Sequence, residues 1–314
     1  MTDLRVDIGT CSFANPVLAA SGTFGYGDEC RDLVDANLLG GVITKSLSLE
    51  PRAGNPPGRI VETPSGMLNS IGLANIGVRR FIAEKLPFLR TLRTRVIANI
   101  AASSVDEYCA VLSALELEEG IHGYEINVSC PNVKDGGLSF GTSCEMTAEV
   151  TRRLRALTAK TLIIKLTPNV TRIADFARAA ADAGADALSV INTLIGMAID
   201  TETRKPSLST VTGGLSGPAI KPVALAKVYE ASQSVRIPVI GVGGIMNARD
   251  AIEFLLAGAS AVQVGTANFV DPAAGVTIVE GLNEYCLRHR IGSVRELTGG
   301  LVAPEGLSVL QSWL

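Results

Sequence analysis

One cysteine in this sequence stands where a thiol could take part in chemistry. Residues 127–142 read NVSCPNVKDGGLSFGT, and Cys130 lies between an apolar run typical of a β-strand and a proline that prevents a helix from continuing. Gly136 and Gly137 follow and could form the hinge of a lid that excludes water. A thiol has an unperturbed pKa of about 8.5, so it is partly ionised at neutral pH and can serve as a base. A lone cysteine that does no chemistry is usually a small buried hydrophobic residue. We interpret the other five cysteines in this way, namely Cys11, Cys30, Cys109, Cys144 and Cys286.

Two lysines and three asparagines follow apolar runs in the chain. They are Lys45, Asn99, Asn127, Lys165 and Asn192. Burying an unpaired amide or ammonium costs free energy, so these residue types are unusual at the ends of buried strands. Any one of them can be explained as a helix cap or as a partner for loop backbone. The presence of all five indicates a shared polar site.

Eight short apolar or β-branched runs carry these residues. Most are continuous rather than alternating, as expected for strands that are buried on both faces. They are PVLAAS (16–21), GVITKS (41–46), RVIANI (95–100), YEINVS (124–129), LIIKLT (162–167), ALSVIN (187–192), PVIGVG (238–243) and AVQVGT (261–266). Segments with helical periodicity separate many of them, namely 105–120, 145–160, 172–185, 222–234 and 248–259. This alternation predicts an α/β fold, a (β/α)₈ TIM barrel in which the residues after the strands share one mouth.

The connection over residues 47–76 is too long and too rich in Pro and Gly for a simple link between a strand and a helix. We interpret it as an elaborated loop on the active-site face. The chain has no linker-like or low-complexity segment, so residues 1–314 are predicted to form a single domain.

Composition excludes several classes of function. The net charge is −3 without a basic block, which argues against nucleic acid or an anionic membrane as the main partner. No signal peptide and no long apolar run is evident, so a cytoplasmic protein is expected. The six cysteines form no C-x-x-C pair and the only histidines are His122 and His289, so no metal site is predicted.

Glycine-rich turns follow the last two predicted strands. GVGGIMNARD (241–250) and VGTANF (264–269) contain Gly243, Gly244, Gly265 and Thr266. Small residues let backbone N–H groups approach a phosphate, and barrels often bind phosphate after their seventh and eighth strands. The G-x-G-x-x-G fingerprint of a dinucleotide-binding domain is absent here, so a mononucleotide phosphate is favoured. Two tight turns without a ligand are the alternative.

The rest of the predicted mouth suits a flavin and a small polar ring. Lys45 and Lys165 could offset negative charge on a reduced flavin. An amide side chain offers both a donor and an acceptor to a planar ligand. The amides available are Asn69 in GMLNSIG (66–72), Asn127, Asn132 and Asn192.

Long motifs of this chain resemble a known family. They are GMLNSIGL, NVSCPNVKDGG, INTLIGMAID, TRKPSLSTVTGGLSGPAIKP and GVGGIMNARDAIEFLLAGASAVQVGTANF. In this order they resemble class 1 dihydroorotate dehydrogenases, and most closely the catalytic subunit of the NAD-linked subclass, class 1B. The resemblance implies an FMN-containing TIM barrel that oxidises dihydroorotate to orotate in pyrimidine biosynthesis. Ser70 and Ile76 depart from the family pattern, and the tail 302–314 has no recognised counterpart.

The resemblance also implies roles for individual residues. FMN contacts are expected at Ser21, Lys45, Ser46, Asn99, Asn127, Lys165, Ile191, Gly217, Gly243, Gly244, Gly265 and Thr266. Substrate contacts are expected at Lys45, Asn69, Ser70, Ile71, Gly72, Leu73, Asn127, Asn132, Asn192 and Thr193. Cys130 would be the base that takes a proton from ring carbon 5 while the hydride leaves carbon 6 for the flavin.

The same resemblance implies a partner. One FMN per chain would be bound non-covalently, and FAD and a 2Fe-2S cluster would lie only on an electron-transfer subunit. The expected assembly is a heterotetramer of two catalytic and two partner subunits. The alternatives are the fumarate-dependent class 1A enzyme, a phosphate-binding barrel isomerase or lyase without flavin, and a regulatory barrel that only binds a nucleotide. A yellow purified protein and dihydroorotate turnover would separate these possibilities.

Overall fold

The computed structural model describes residues 2–129 and 140–302, and these contain sixteen short strands. In chain order they are β1 Val6–Ile8, β2 Cys11–Phe13, β3 Val17–Ala19, β4 Gly41–Ile43, β5 Ile60–Thr63, β6 Gly66–Asn69, β7 Arg95–Ile100, β8 Gly123–Asn127, β9 Thr161–Leu166, β10 Ala187–Val190, β11 Leu194–Gly196, β12 Ile199–Asp200, β13 Lys205–Pro206, β14 Gly213–Ser216, β15 Val239–Val242 and β16 Ala261–Val264. Residues 303–314, which contain nearly all of the tail, lie outside the described residues.

Eight of these strands close into a parallel barrel. Its order is β3, β4, β7, β8, β9, β10, β15, β16, and β16 pairs with β3 to complete the ring, with Val262 opposite Val17. Each of the eight predicted runs overlaps one barrel strand, and the predicted (β/α)₈ TIM barrel is confirmed. The runs are continuous because one face of each strand fills the barrel and the other packs under helices.

The helices cover the outside of the barrel. They are α1 Val78–Arg80, α2 Leu86–Leu89, α3 Val105–Glu116, α4 Cys144–Arg155, α5 Ile173–Asp182, α6 Lys221–Ser232, α7 Ala248–Leu256, α8 Ala267–Val270 and α9 Ala274–His289. A π-helical turn, Phe81–Lys85, joins α1 to α2, and 3₁₀ turns span Asp28–Cys30, Ala36–Leu38, Phe140–Thr142, Pro218–Ile220 and Val294–Leu297. Among the described residues, no helix is long and apolar enough to cross a membrane.

The five predicted helices are present, and their starts follow ordinary capping chemistry. The Ser104 hydroxyl accepts a hydrogen bond from the Glu107 N–H at the start of α3, and Asn247 caps α7 in the same way through Asp250. Helix α9 was not predicted. It contains Gly281, where a Cβ would lie 2.5 Å from the Ala248 Cβ, so glycine is needed for close packing and also weakens the helical pattern.

The elaborated loop predicted over residues 47–76 contains strands that were not predicted. The segment contains the antiparallel hairpin of β5 and β6, which joins β14 and β11 in a four-stranded sheet ordered β11, β14, β6, β5. The strands of this sheet are mostly half-exposed, so they lack the continuous apolar run that marks the barrel strands. Pairing with residues more than a hundred positions away stabilises them.

Truncating Phe254 tests the packing of the barrel wall. This side chain in α7 is 0% exposed and lies against Gly241 of β15, where a Cβ would collide with its ring. We expect Phe254→Ala to lower the free energy of unfolding by about 3–5 kcal/mol, through lost burial and an unfilled cavity. Urea unfolding followed by circular dichroism measures the change. Phe269→Ala, at a ring that is 56% exposed, is the control and should change it by less than about 0.5 kcal/mol. Equal losses in the two variants would contradict the packing argument.

Candidate active site

Strand pairing brings the predicted polar residues of three neighbouring strands to one end of the barrel. Asn127 of β8 lies opposite Lys165 of β9, and Asn99 of β7 lies opposite Glu125 of β8. Parallel strands present their carboxyl ends at the same face. The barrel mouth therefore has amide and ammonium groups on adjacent strands, as the sequence predicts.

A buried ammonium lies beneath this mouth. Lys165 is only 5% exposed, and its Nζ lies 3.4 Å from the Ser21 hydroxyl oxygen and 3.4 Å from Glu125 Oε1. Asn99 Nδ2 donates to the same Glu125 oxygen at 2.6 Å, while Asn99 Oδ1 is buried and has no partner among the described residues. Positive charge at Lys165 and an unpaired amide oxygen at Asn99 both suit a polar ligand that completes the group.

A pair of amides forms the second polar group. Asn192 Nδ2 donates to Asn127 Oδ1 at 3.1 Å, and Asn192 Oδ1 accepts from the Thr193 N–H at 2.8 Å. The Tyr108 hydroxyl of α3 donates to the Asn127 carbonyl at 2.7 Å and so holds the end of β8. Each amide orients the other, so the pair can present a fixed pattern of donors and acceptors.

Glycine turns form a cradle on the other side of the mouth. Gly243 and Gly244 have φ values of +132° and +75°, and a Cβ on Gly244 would lie 2.8 Å from the Gly217 carbonyl oxygen. A Cβ on Gly265 would meet only the Ala20 Cβ, at 3.6 Å, so the space before it is open. Thr266 and Ser216 share a hydrogen bond between their hydroxyl groups at 2.9 Å. The tight turn at Gly243 and Gly244 and the open space before Gly265 together suit a phosphate held by backbone N–H groups.

Other predicted site residues are held by backbone hydrogen bonds at the ends of their strands. The Lys45 N–H donates to the Gly25 carbonyl at 2.8 Å at the end of β4, next to Ser46, and the Ile191 N–H donates to the Val242 carbonyl. Within residues 2–129 and 140–302, no hydrogen bond links the Lys45 side chain to Lys165 or to the amide pair. Cys130 and Asn132 lie outside the described residues.

The loop from Asn69 to Leu73 begins at the last residue of β6 in the four-stranded side sheet. Asn69 Nδ2 donates to the Gly214 carbonyl at 3.2 Å, and the Ser70 hydroxyl oxygen accepts from Asn55 Nδ2 at 2.8 Å. Gly72 and Leu73 follow Ile71 with positive φ values of +72° and +55°. The sheet therefore positions this loop, but no described side-chain hydrogen bond joins it to Lys165 or Asn127.

Two residues of the buried polar cluster were missed from the sequence. Glu125 accepts hydrogen bonds from Asn99, Lys165 and Gln263, and Gln263 Nε2 lies 2.5 Å from Glu125 Oε2. Both residues lie inside barrel strands rather than at their ends. A charged residue within the apolar run YEINVS was the available signal, because a carboxylate in a buried strand needs donors.

The described thiols and imidazoles are poor candidates for a base at the mouth. Burial raises the pKa of the thiols of Cys11, Cys30, Cys109, Cys144 and Cys286. Burial lowers the pKa of His122, whose Nδ1 accepts the Val96 N–H near the amino-terminal end of β7, away from the mouth. In the part of the chain that the structure describes, no group of three or more His, Cys, Asp or Glu residues could hold a metal ion. The fold and site together define a (β/α)₈ barrel with a polar, glycine-lined mouth that suits a phosphate-bearing cofactor.

The family is shown by comparison with known proteins. A family model described as dihydroorotate dehydrogenase matches residues 3–286, and the chain belongs to that family. It is 55% identical over 300 residues to the protein named "Dihydroorotate dehydrogenase B (NAD(+)), catalytic subunit" of Geotalea uraniireducens (strain Rf4), covering 96% of this chain and 98% of that protein. It is 51% identical to the protein of the same name from Bacteroides thetaiotaomicron, covering 96% and 99%. The crystal structure of a DHODH from Eimeria tenella in complex with ferulenol has the same fold, with a TM-score of 0.79, 22% identity and coverage of 95% of this chain and 88% of that one.

Proposed function

We propose that this chain oxidises dihydroorotate to orotate in pyrimidine biosynthesis, as the catalytic subunit of an NAD-linked dihydroorotate dehydrogenase. The observation that carries the proposal is the convergence of Lys165, Asn127 and Asn192 at one barrel mouth in a chain of this family. Near full-length identity of 50–56% to proteins named as catalytic subunits supports the NAD-linked form. We also propose that residues 1–314 form a single domain.

The cofactor we propose is one FMN per chain, bound non-covalently. Its phosphate would be held by Gly243, Gly244, Gly265 and Thr266, and Lys165 and Asn99 would meet the ring system. The open space before Gly265 and the unpartnered amide oxygen of Asn99 support this fit. The remaining contacts proposed are Ser21, Lys45, Ser46, Asn127, Ile191 and Gly217.

The reaction removes a proton from ring carbon 5 and a hydride from carbon 6, leaving a double bond between them. FMN, when bound, supplies the acceptor for the hydride. Asn127 and Asn192 hold each other in a fixed orientation and would bind the polar edge of the substrate ring, together with Asn69, Asn132 and Thr193. The Cys130 thiolate would take the proton from carbon 5. Fixed donors lower the barrier by holding the reacting carbons in position.

The partner we propose is an electron-transfer subunit that carries FAD and a 2Fe-2S cluster. Two catalytic and two partner subunits would form a heterotetramer. The words "catalytic subunit" in the names of the relatives support a separate subunit. The location proposed for the assembly is the cytoplasm.

Cofactor binding tests the proposal directly. We expect the purified chain to be yellow, to release FMN on denaturation, and to lose its oxidised-flavin absorbance when dihydroorotate is added without oxygen. Gly244→Ala should weaken FMN binding by about tenfold or more, because φ is +75° and the Cβ would press on Gly217 in the cradle.

Gly299→Ala is the matched control for Gly244→Ala. Gly299 has a φ of +72°, so alanine meets the same backbone strain, but a Cβ there has nothing within 4 Å. FMN affinity should therefore be unchanged in this variant. Release of FAD, or a wild-type chain without flavin, would contradict the proposed function.

A further inference from the structure

Glu125 is a carboxylate at the centre of the barrel, beneath the proposed cofactor site. It is 0% exposed, and each side chain that hydrogen-bonds to it is a donor from a different strand. Asn99 Nδ2 of β7 and Lys165 Nζ of β9 reach Oε1 at 2.6 Å and 3.4 Å, and Gln263 Nε2 of β16 reaches Oε2 at 2.5 Å. An ionised carboxylate accepts at both oxygens and donates nothing, so this environment matches its charged form.

Stability gives little reason for such a pair. Buried ion pairs can often be replaced by apolar residues without loss of stability, because desolvation offsets much of the attraction. The interior of this barrel is otherwise rich in Val, Ile, Leu and Ala. Lys165 Nζ lies 3.4 Å from both the Glu125 carboxylate and the Ser21 hydroxyl, so the carboxylate adjoins residues of the proposed cofactor site. The position of the carboxylate therefore points to an electrostatic role at the site above it.

We propose that Glu125 is the buried counter-charge of the cofactor site. Its negative charge offsets part of the positive potential that Lys165 imposes on bound FMN, and so holds the reduction potential of the flavin below the value that Lys165 alone would set. A nearby cation favours the reduced flavin, which carries more negative charge, and buried charges are weakly screened. The inference rests on the proposed function, because it requires FMN in this mouth.

The test replaces the charge and keeps the shape. In Glu125→Gln, the new amide oxygen can still accept from Asn99, and the Gln263 amide can turn so that its unpartnered Oε1 accepts from the new NH₂. Sulfite adds to oxidised flavin and leaves negative charge on the ring, so its Kd reports the local potential without any turnover. We expect the sulfite Kd to fall by about tenfold, with the FMN reduction potential rising by about 30 mV for a two-electron couple.

Glu116→Gln is the matched control. Glu116 Oε2 lies 3.5 Å from Lys160 Nζ, a separation close to that of Glu125 and Lys165, but the Glu116 pair contacts the outward-facing Tyr124 hydroxyl of β8. Removing that charge should leave the sulfite Kd within about twofold of wild type, because the site is solvent-screened. An equal tenfold change in both variants would overturn the inference.

A second background keeps the inference testable if Glu125→Gln alone does not fold. Two variants are then compared, each in the presence of added FMN: Lys165→Met and the double variant Glu125→Gln/Lys165→Met. The double variant lacks both charges, so it contains no unpaired buried ion at this position. The double variant should bind sulfite about tenfold more tightly than Lys165→Met, because only Lys165→Met retains the negative charge of Glu125 near the flavin. A sulfite Kd that is unchanged or raised by Glu125→Gln in folded, FMN-loaded protein overturns the inference alone, whereas a wild-type chain without FMN overturns the proposed function.

Discussion

Replacing Cys130 with alanine is expected to lower dihydroorotate turnover by about 10²–10⁴-fold while FMN and orotate still bind, the loss typical of removing a general base. Several other candidate bases among the described residues are already engaged or disfavoured. Lys165 interacts with Glu125, the described thiols have raised pKa values, and His122 lies at the opposite end of the barrel. Steady-state kcat gives the loss, and the flavin spectrum on adding orotate checks that the ligand still binds.

Ser129, which precedes Cys130 in the sequence, contacts the amide pair. Its N–H donates to Asn127 Oδ1 at 3.2 Å, and Asn127 also accepts from Asn192. The described chain therefore reaches Ser129 beside the side chains that we propose for substrate binding.

Two further variants separate the chemistry of Cys130 from simple loss of a thiol. Cys130→Ser should keep the geometry and regain activity only at higher pH, because a hydroxyl ionises far less readily than a thiol. Cys144→Ala is the control, since Cys144 begins α4 and burial raises the pKa of its thiol, so turnover should match wild type. Wild-type rates in Cys130→Ala would show that the thiol has a structural role.

The barrel could be predicted from the sequence because its strands are buried on both faces. A run such as LIIKLT (162–167) is apolar except for Lys165 and the final threonine, and it covers all of β9 but Thr161, with every residue of that strand buried. The hairpin of β5 and β6 has no such pattern, since its residues are mostly half-exposed or exposed. Its formation depends on pairing with β14, which no local pattern reveals.

The site could be predicted only where residues end a strand. Asn127 and Lys165 were found because polar residues at strand ends share one face of a barrel. Glu125 and Gln263 were missed because they are 138 positions apart and lie inside strands. The link between Lys165 and Ser21 spans 144 positions. Such contacts depend on barrel closure and strand register, which no local sequence pattern reveals.

Electron transfer to NAD is expected to require the partner subunit. The chain lacks a G-x-G-x-x-G fingerprint and any C-x-x-C pair, and its described residues contain no cluster of metal ligands. The mouth would already be filled by FMN and the substrate ring. We therefore expect the isolated chain to oxidise dihydroorotate with artificial acceptors, while forming NADH about 10²-fold or more slowly than the full assembly, because the reacting centres are not held together.

Adding the partner should restore NADH formation, which is measured as absorbance of the reduced nicotinamide. Fumarate is the control acceptor, because the fumarate-dependent enzyme of the same family is the nearest alternative. The segment TRKPSLSTVTGGLSGPAIKP (203–222) resembles the NAD-linked form, and it contributes β14 of the side sheet and Gly217 of the cradle. The segment that resembles the NAD-linked form therefore lies next to the proposed cofactor site rather than on a remote surface. Efficient NAD reduction by the isolated chain, or rapid turnover with fumarate as sole acceptor, would place the chain in a different subclass.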